Sequence, residues 1–223
     1  MRVSELRANE IKADEDEIVT VRRLVGLDDT HPVDRNEIGW TSRVYLVNQG
    51  EYVVKFPRTD AVKEEYRREI VLLRQLEACQ LPVLTPRILW THPDQAYLGY
   101  AGIVGTSLDL LIHATTTEQR VAIGAQIGTF LQALHNLQLA DGFAMTLDEE
   151  IAEFHYKYGL GAAILARDLT TAERDRLDEV VLREMPAALK RLGTDVTFCH
   201  GDLGYWNMIV SENGQLGIID FGD

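Results

Sequence analysis

Apolar residues recur along the chain in two periods, and the places where the period changes divide it. Over 3–27, Leu6, Ile11, Ile18, Val21, Leu24 and Val25 recur at helical spacing among many charges, which predicts one or two amphipathic helices. From 33 to 58 the spacing shortens to that of strands: Val44 and Leu46, then Val53, Val54 and Phe56, with Asn48-Gln49-Gly50 as the hairpin turn. Val62, Tyr66, Ile70, Leu73 and Leu76 restore helical spacing over 61–76. Pro82, Pro86 and Pro93 then break helices, and 87–90 and 96–100 read as strands. A long helix is expected over 117–135, a second opening at 148–151, and a third over 171–192 with its cap at Thr170 and Thr171. The chain closes on two short apolar strands, 208–210 and 216–219, joined by the turn Ser211-Glu212-Asn213-Gly214.

A strand-rich first part and a helical second part predict an α+β fold. With 223 residues, 46% of them hydrophobic, the chain can bury a substantial core as one large or two small domains. Nothing resembles a membrane span or a signal peptide, because Arg2, Glu5, Arg7 and Glu10 stand where an apolar region would be needed. Cys79 and Cys199 lie far apart without metal-type spacing, as in a reduced, cytoplasmic protein. A formal net charge of -13 argues against nucleic acid or an anionic membrane as partner. It suits a cationic substrate, and equally solubility alone. The acidic run Asp14-Glu15-Asp16-Glu17 reads as a solvated face or a helix N-terminus, and Glu149, Glu150 and Glu153 as another before a role in holding amines. His135 reads as a packed or capping histidine.

Polar residues that interrupt the apolar pattern carry the chemistry. Lys55 stands inside the strand Tyr52-Val53-Val54-Lys55-Phe56-Pro57, where a buried face demands a partner, and the helix that follows presents Glu69. Alone, Lys55 reads as an edge lysine directed to water. The final hairpin changes that reading. His200, Asp202 and Asn207 precede its first strand and Asp220 and Asp223 follow its second, so pairing is expected to set Asn207 opposite Asp220 with Asp202 nearby. An amide oxygen and a carboxylate suit Mg²⁺ carrying phosphate, and a carboxylate outside the metal can take a proton from a hydroxyl. Between Ile38 and Val44, the residues Gly39-Trp40-Thr41-Ser42-Arg43 form a short loop able to turn backbone N–H groups toward phosphate.

His200-Gly201-Asp202 followed by Asn207, and then Ile219-Asp220-Phe221-Gly222-Asp223, resembles the catalytic loop and metal motif of the aminoglycoside phosphotransferase family, a relative of the protein kinases and of choline kinase. Gly201 and Asp223 favour the small-molecule kinases. Gly39 to Ser42, Val53 to Pro57, Arg68-Glu69, Tyr100 to Gly105, Leu131 to His135 and Gly142-Phe143 extend the likeness, closest in pattern to the branch that modifies the 2''-hydroxyl. The resemblance implies a bilobal, protein-kinase-like fold: an N-terminal lobe over 1–98, a hinge over 99–106 and a mainly helical lobe over 107–223. It implies transfer of the γ-phosphoryl of ATP or GTP to a hydroxyl of a small, cationic molecule such as an aminoglycoside. Another kinase acceptor (a macrolide, a choline-like amine, a sugar or homoserine) and a catalytically silent nucleotide-binding module are the alternatives. The roles implied are Asp202 as base, Asn207 and Asp220 as Mg²⁺ ligands, and Ser42, Lys55, Glu69, Ala101, Ile103 and Ile219 around the nucleotide, with His200 and Asp223 shaping the loop. The family's chains continue past the metal motif with helices that complete the acceptor pocket, so a shortened large lobe is expected here.

Overall fold

Alternation along 52–57 sends Val53 and Lys55 to one face of a sheet and Val54 and Phe56 to the other. In the computed structural model, which describes residues 16–36, 41–137, 146–192 and 198–221, both faces are covered. Residues 1–15 of the expected N-terminal helices, Gly39 and Trp40 of the short loop, Gly142-Phe143 and Gly222-Asp223 lie outside the described residues. Asp34–Asn36 (β1), Ser42–Val47 (β2), Tyr52–Pro57 (β3), Arg87–Thr91 (β4) and Leu98–Ala101 (β5) form an antiparallel sheet in the order β1-β2-β3-β5-β4. Helix α1 (Asp16–Val25) packs Val21 against Tyr45, Val47, Val54 and Phe56 on one face. Helix α2 (Asp60–Ala78) packs Val62 and Tyr66 against Val53, Leu98 and Tyr100 on the other. The α+β class predicted from the sequence is the class observed.

The β2–β3 turn uses the expected residues in an unusual way: Asn48, Gln49 and Gly50 all have positive φ, at 51°, 59° and 91°. Gly102, just past β5, donates its N–H to the Glu51 carbonyl at 2.9 Å. A Cβ at position 102 would lie 2.0 Å from the Gly50 carbonyl oxygen. Only glycine lets the two backbones approach so closely. Gly102→Ala is therefore expected to destabilise the fold by about 1–3 kcal/mol, the usual cost of overpacking, measured as a lower urea midpoint.

The second sheet has the order β6-β7-β8, from Thr106–Ser107 (β6), Met208–Val210 (β7) and Leu216–Ile218 (β8). A short helix, α3 (Leu108–Leu111), follows β6, and then comes α4 (Thr117–His135), capped by Thr116 and Gln119 in a reciprocal box. Gln126 of α4 donates to the Gly214 carbonyl at 3.0 Å and accepts the Leu216 N–H at 2.8 Å, so one side chain ties the helix to the hairpin. Phe130 and Leu134 on the same helix are fully buried, Phe130 meeting Phe221 edge-on at 6.4 Å. His135 is exposed in the last turn.

The chain divides into two compact units, and everything so far belongs to the first, built from 2–137 and 199–223. The second contains α5 (Leu147–Asp168), α6 (Thr171–Glu179) and α7 (Met185–Leu192). Thr146 with Glu149 and Thr170 with Glu173 cap α5 and α6 as reciprocal boxes. Glu149 is thus engaged as a cap, and Glu153 pairs with Lys157 at 3.0 Å. The single helix expected over 171–192 is interrupted by a π-helical stretch, Val180–Glu184. Pro186, which has no N–H to offer the ladder, lies two residues beyond it. Among the described residues no helix is long and apolar enough to cross a membrane, and neither Cys79 nor Cys199 is in a disulfide.

Candidate active site

Lys55 shares its face of β3 with Val53, and its cross-strand neighbours are Val44 and Leu98. An ammonium there must find counter-charges or lose several kcal/mol to desolvation. It finds two: Glu69 of α2 at 3.1 Å and Asp220, from beyond the second strand of the hairpin, at 3.0 Å. Lys55 and Glu69 are almost enclosed, whereas Asp220 remains 48% exposed. Burial alone would lower the lysine pKa, but Glu69 first, then Tyr100 and Asp220, hold it well above the usual value. The ammonium also lies 5.7 Å from the centre of the Tyr100 ring. Burial pushes the Tyr66 and Tyr100 phenols well up, so both stay neutral beside it.

Local structure of the hairpin sets the other groups. Met208 pairs with Ile218, and the Ile219 N–H donates to the Asn207 carbonyl at 3.0 Å. Asn207 therefore faces Ile219, and Asp220 stands one residue farther along than the sequence predicts. Asp220 adopts a left-handed φ of 64°, a conformation aspartate tolerates better than most residues. The 3₁₀ turn Tyr205–Asn207 folds back on Asp202. Asn207 Nδ2 donates to the Asp202 carbonyl at 2.9 Å and to Asp202 Oδ2 at 3.0 Å, which leaves the Asn207 amide oxygen unused among the described residues. His200 is buried, donates through Nε2 to the Ile219 carbonyl at 3.0 Å and lies 4.7 Å from the Phe221 ring. Asp223 lies outside the described residues.

Ser42 stands within β2 instead of in the loop before it, buried, its hydroxyl accepting from Tyr66 at 2.8 Å. Ala101 ends β5 with Tyr52 and Arg87 as its neighbours. Ile103 is near β8: a Cβ on Gly217 would come within 2.7 Å of its Cδ1. Lys55, Glu69 and Asp220 are brought together directly, as are Asp202 and Asn207.

Two features escape the sequence reading. Trp206 donates its indole N–H to Asp202 Oδ2 at 3.0 Å. Glu17, read above as part of a solvated face or a helix N-terminus, stands in the first turn of α1 but is not solvated: it is 6% exposed, paired with Arg43 at 2.6 Å and accepting from the Tyr45 hydroxyl at 2.8 Å. Burial first, and then that hydrogen bond, push the Tyr45 pKa up to about 12. A signal for the pair existed: Arg43 is on the same strand face as Tyr45 and Val47, where a charge needs a partner, and Glu17 lies one helical turn before Val21.

The profile described as "Phosphotransferase enzyme family" matches residues 33–223. Among similar solved structures, the gentamicin complex of APH(2'')-IIa superposes with a TM-score of 0.72 at 23% identity, over 96% of this chain and 71% of that one. A streptomycin and ATP ternary complex of APH(2'')-IIa gives 0.69 at 25% identity, over 96% and 72%. Choline kinase LicA from Streptococcus pneumoniae gives 0.57 at 20% identity, over 94% and 69%. The kinase-like fold expected from the sequence is the fold these structures share with the chain. No curated protein matches it as a relative.

Proposed function

The chain belongs to the phosphotransferase enzyme family, and from that premise we propose that it moves the γ-phosphoryl group of ATP or GTP to a hydroxyl of a small molecule, an aminoglycoside in the first instance. What supports this most is Lys55, one ammonium joining Glu69, 14 residues on, and Asp220, 165 residues on, through contacts of 3.1 and 3.0 Å. Such a lysine, oriented by a helix glutamate next to a metal-binding aspartate, is suited to holding nucleotide phosphates. Asp202 accepts the proton of the acceptor hydroxyl as the hydroxyl oxygen bonds to phosphorus. The bond from phosphorus to the bridging oxygen breaks, and nucleoside diphosphate leaves. Asn207 and Asp220 suit Mg²⁺: the amide oxygen of Asn207 and Oδ2 of Asp220 are hard donors that take no hydrogen bond from described residues. The ion would neutralise charge on the phosphates. We assign Ser42, Glu69, Ala101, Ile103 and Ile219 to the nucleotide's surroundings, and Asp223 with His200 to the support of the loop.

The match to complexes holding gentamicin, and streptomycin with ATP, favours a cationic aminocyclitol acceptor, in keeping with the net charge of -13. The test is Mg²⁺-dependent release of ADP or GDP on addition of aminoglycosides, with macrolides and choline as comparison acceptors. Release stimulated by an aminoglycoside and abolished by EDTA is expected. Stimulation by choline or a macrolide alone would reassign the acceptor. Thermal stabilisation by nucleotide with no turnover on any acceptor would overturn the enzymatic reading.

A further inference from the structure

Asp202 Oδ2 carries two donors, Trp206 Nε1 and Asn207 Nδ2, each at 3.0 Å, whereas Oδ1 accepts no hydrogen bond from described residues. Two donors converging on one oxygen fix the rotation of the carboxylate and leave the other oxygen as the acceptor. Asn207 is already committed through its second bond to the Asp202 carbonyl. Trp206 has no such backbone role. It is 59% exposed, so little of its presence here is accounted for by apolar burial. Its ring nevertheless has a definite seat: a Cβ added to Gly204 would fall 2.3 Å from Trp206 Cε2 and Cζ2. The indole lies against bare glycine backbone with its N–H directed at Asp202. Gly204 has φ of -87° and ψ of 164°, which any residue can adopt, so the space taken by the indole is what a side chain at 204 would disturb.

We infer that Trp206 is a positioning residue, which orients Asp202 so that Oδ1 receives the acceptor's proton, and that Gly204 is the seat that holds its ring. This rests on the assignment of Asp202 as base. With the indole N–H spent on Asp202 Oδ2, its loss is expected to fall on kcat.

Trp206→Phe keeps an aromatic ring and removes the donor. Gly204→Ala keeps the donor and displaces the ring. Both are expected to lower kcat by about tenfold, within the roughly 10²-fold that a displaced reacting group costs, with KM for nucleotide and acceptor nearly unchanged. In ¹⁵N-labelled protein, the indole resonance that disappears in Trp206→Phe is expected to shift in Asp202→Ala. If Trp206→Phe retains wild-type kcat while Asp202→Asn loses it, the inference fails and the assignment of the base stands. A raised acceptor KM with unchanged kcat would make Trp206 a binding contact and overturn the inference. Turnover retained in Asp202→Asn would remove the assigned base and the inference with it. An indole resonance indifferent to Asp202→Ala would refute the hydrogen bond itself.

Discussion

Asp202→Asn is expected to lower kcat by about 10²–10⁴-fold, the range a positioned general base supplies, with little change in the KM of either substrate. The substitution changes almost nothing in shape, and the amide oxygen can still accept from Trp206 and Asn207 through the position of Oδ2. What disappears is an oxygen able to take a proton on the side where no described residue competes for it. Uniform loss of kcat and kcat/KM would mark an interaction made in the transition state. Steady-state kinetics of the purified variant decide it, beside a thermal melt showing that the fold is kept; near-normal turnover would remove Asp202 from its role.

The second large effect is on stability. Glu17→Leu leaves the Arg43 guanidinium, 2% exposed, without its carboxylate, and removing one partner of a buried pair costs about 3–5 kcal/mol. That is a large share of the roughly 5–15 kcal/mol that holds a typical domain folded. Its loss would be read as a fall in the urea midpoint at unchanged slope. The double variant Glu17→Leu with Arg43→Met should recover most of the loss, since a buried pair and apolar groups of similar volume are often close in free energy. If the single and double variants are equally unstable, Glu17 matters through its packing and its bond to Tyr45.

What was legible in the sequence follows from how local each signal is. The alternation of Val53, Val54, Lys55 and Phe56 and the helical spacing from Val62 to Leu76 each need a single element, and the structure places strands and helix there within two residues of the expected ends. Those two patterns alone left Lys55 reading as an edge residue directed to water, and it was the hairpin motif and the family resemblance that pointed to its contact with Glu69. The hairpin was visible through its turn, but the register was not: Asn207 meets Ile219, one residue short of Asp220. The pairing of Glu17 with Arg43 spans 26 residues and two elements, so its signal, an arginine on the inward face of one strand and a glutamate one turn before Val21, is seen only when the two elements are read together. Trp206 was hidden because an exposed aromatic next to a motif has no period and announces no partner. The interruption at 180–184 inside an otherwise helical pattern is a change of hydrogen-bond step that side-chain spacing does not record.

The clasp of Gln126 on the hairpin has a further consequence. Strand β8 is the outermost strand of its sheet, a position whose unpaired N–H and carbonyl groups ordinarily invite another chain to add a strand. Here Gln126 accepts from the Leu216 N–H, while Leu84 donates to the Leu216 carbonyl and accepts from the Ile218 N–H, both at 2.9 Å. Every outward group at the two ends of β8 that these bonds occupy is closed to a neighbour. The strand that leads to Asp220 thus has these edge groups occupied by a helix side chain and a loop residue, and a chain lacking the Gln126 amide would bare the Leu216 N–H to a neighbour, close in sequence to the residue proposed as a metal ligand.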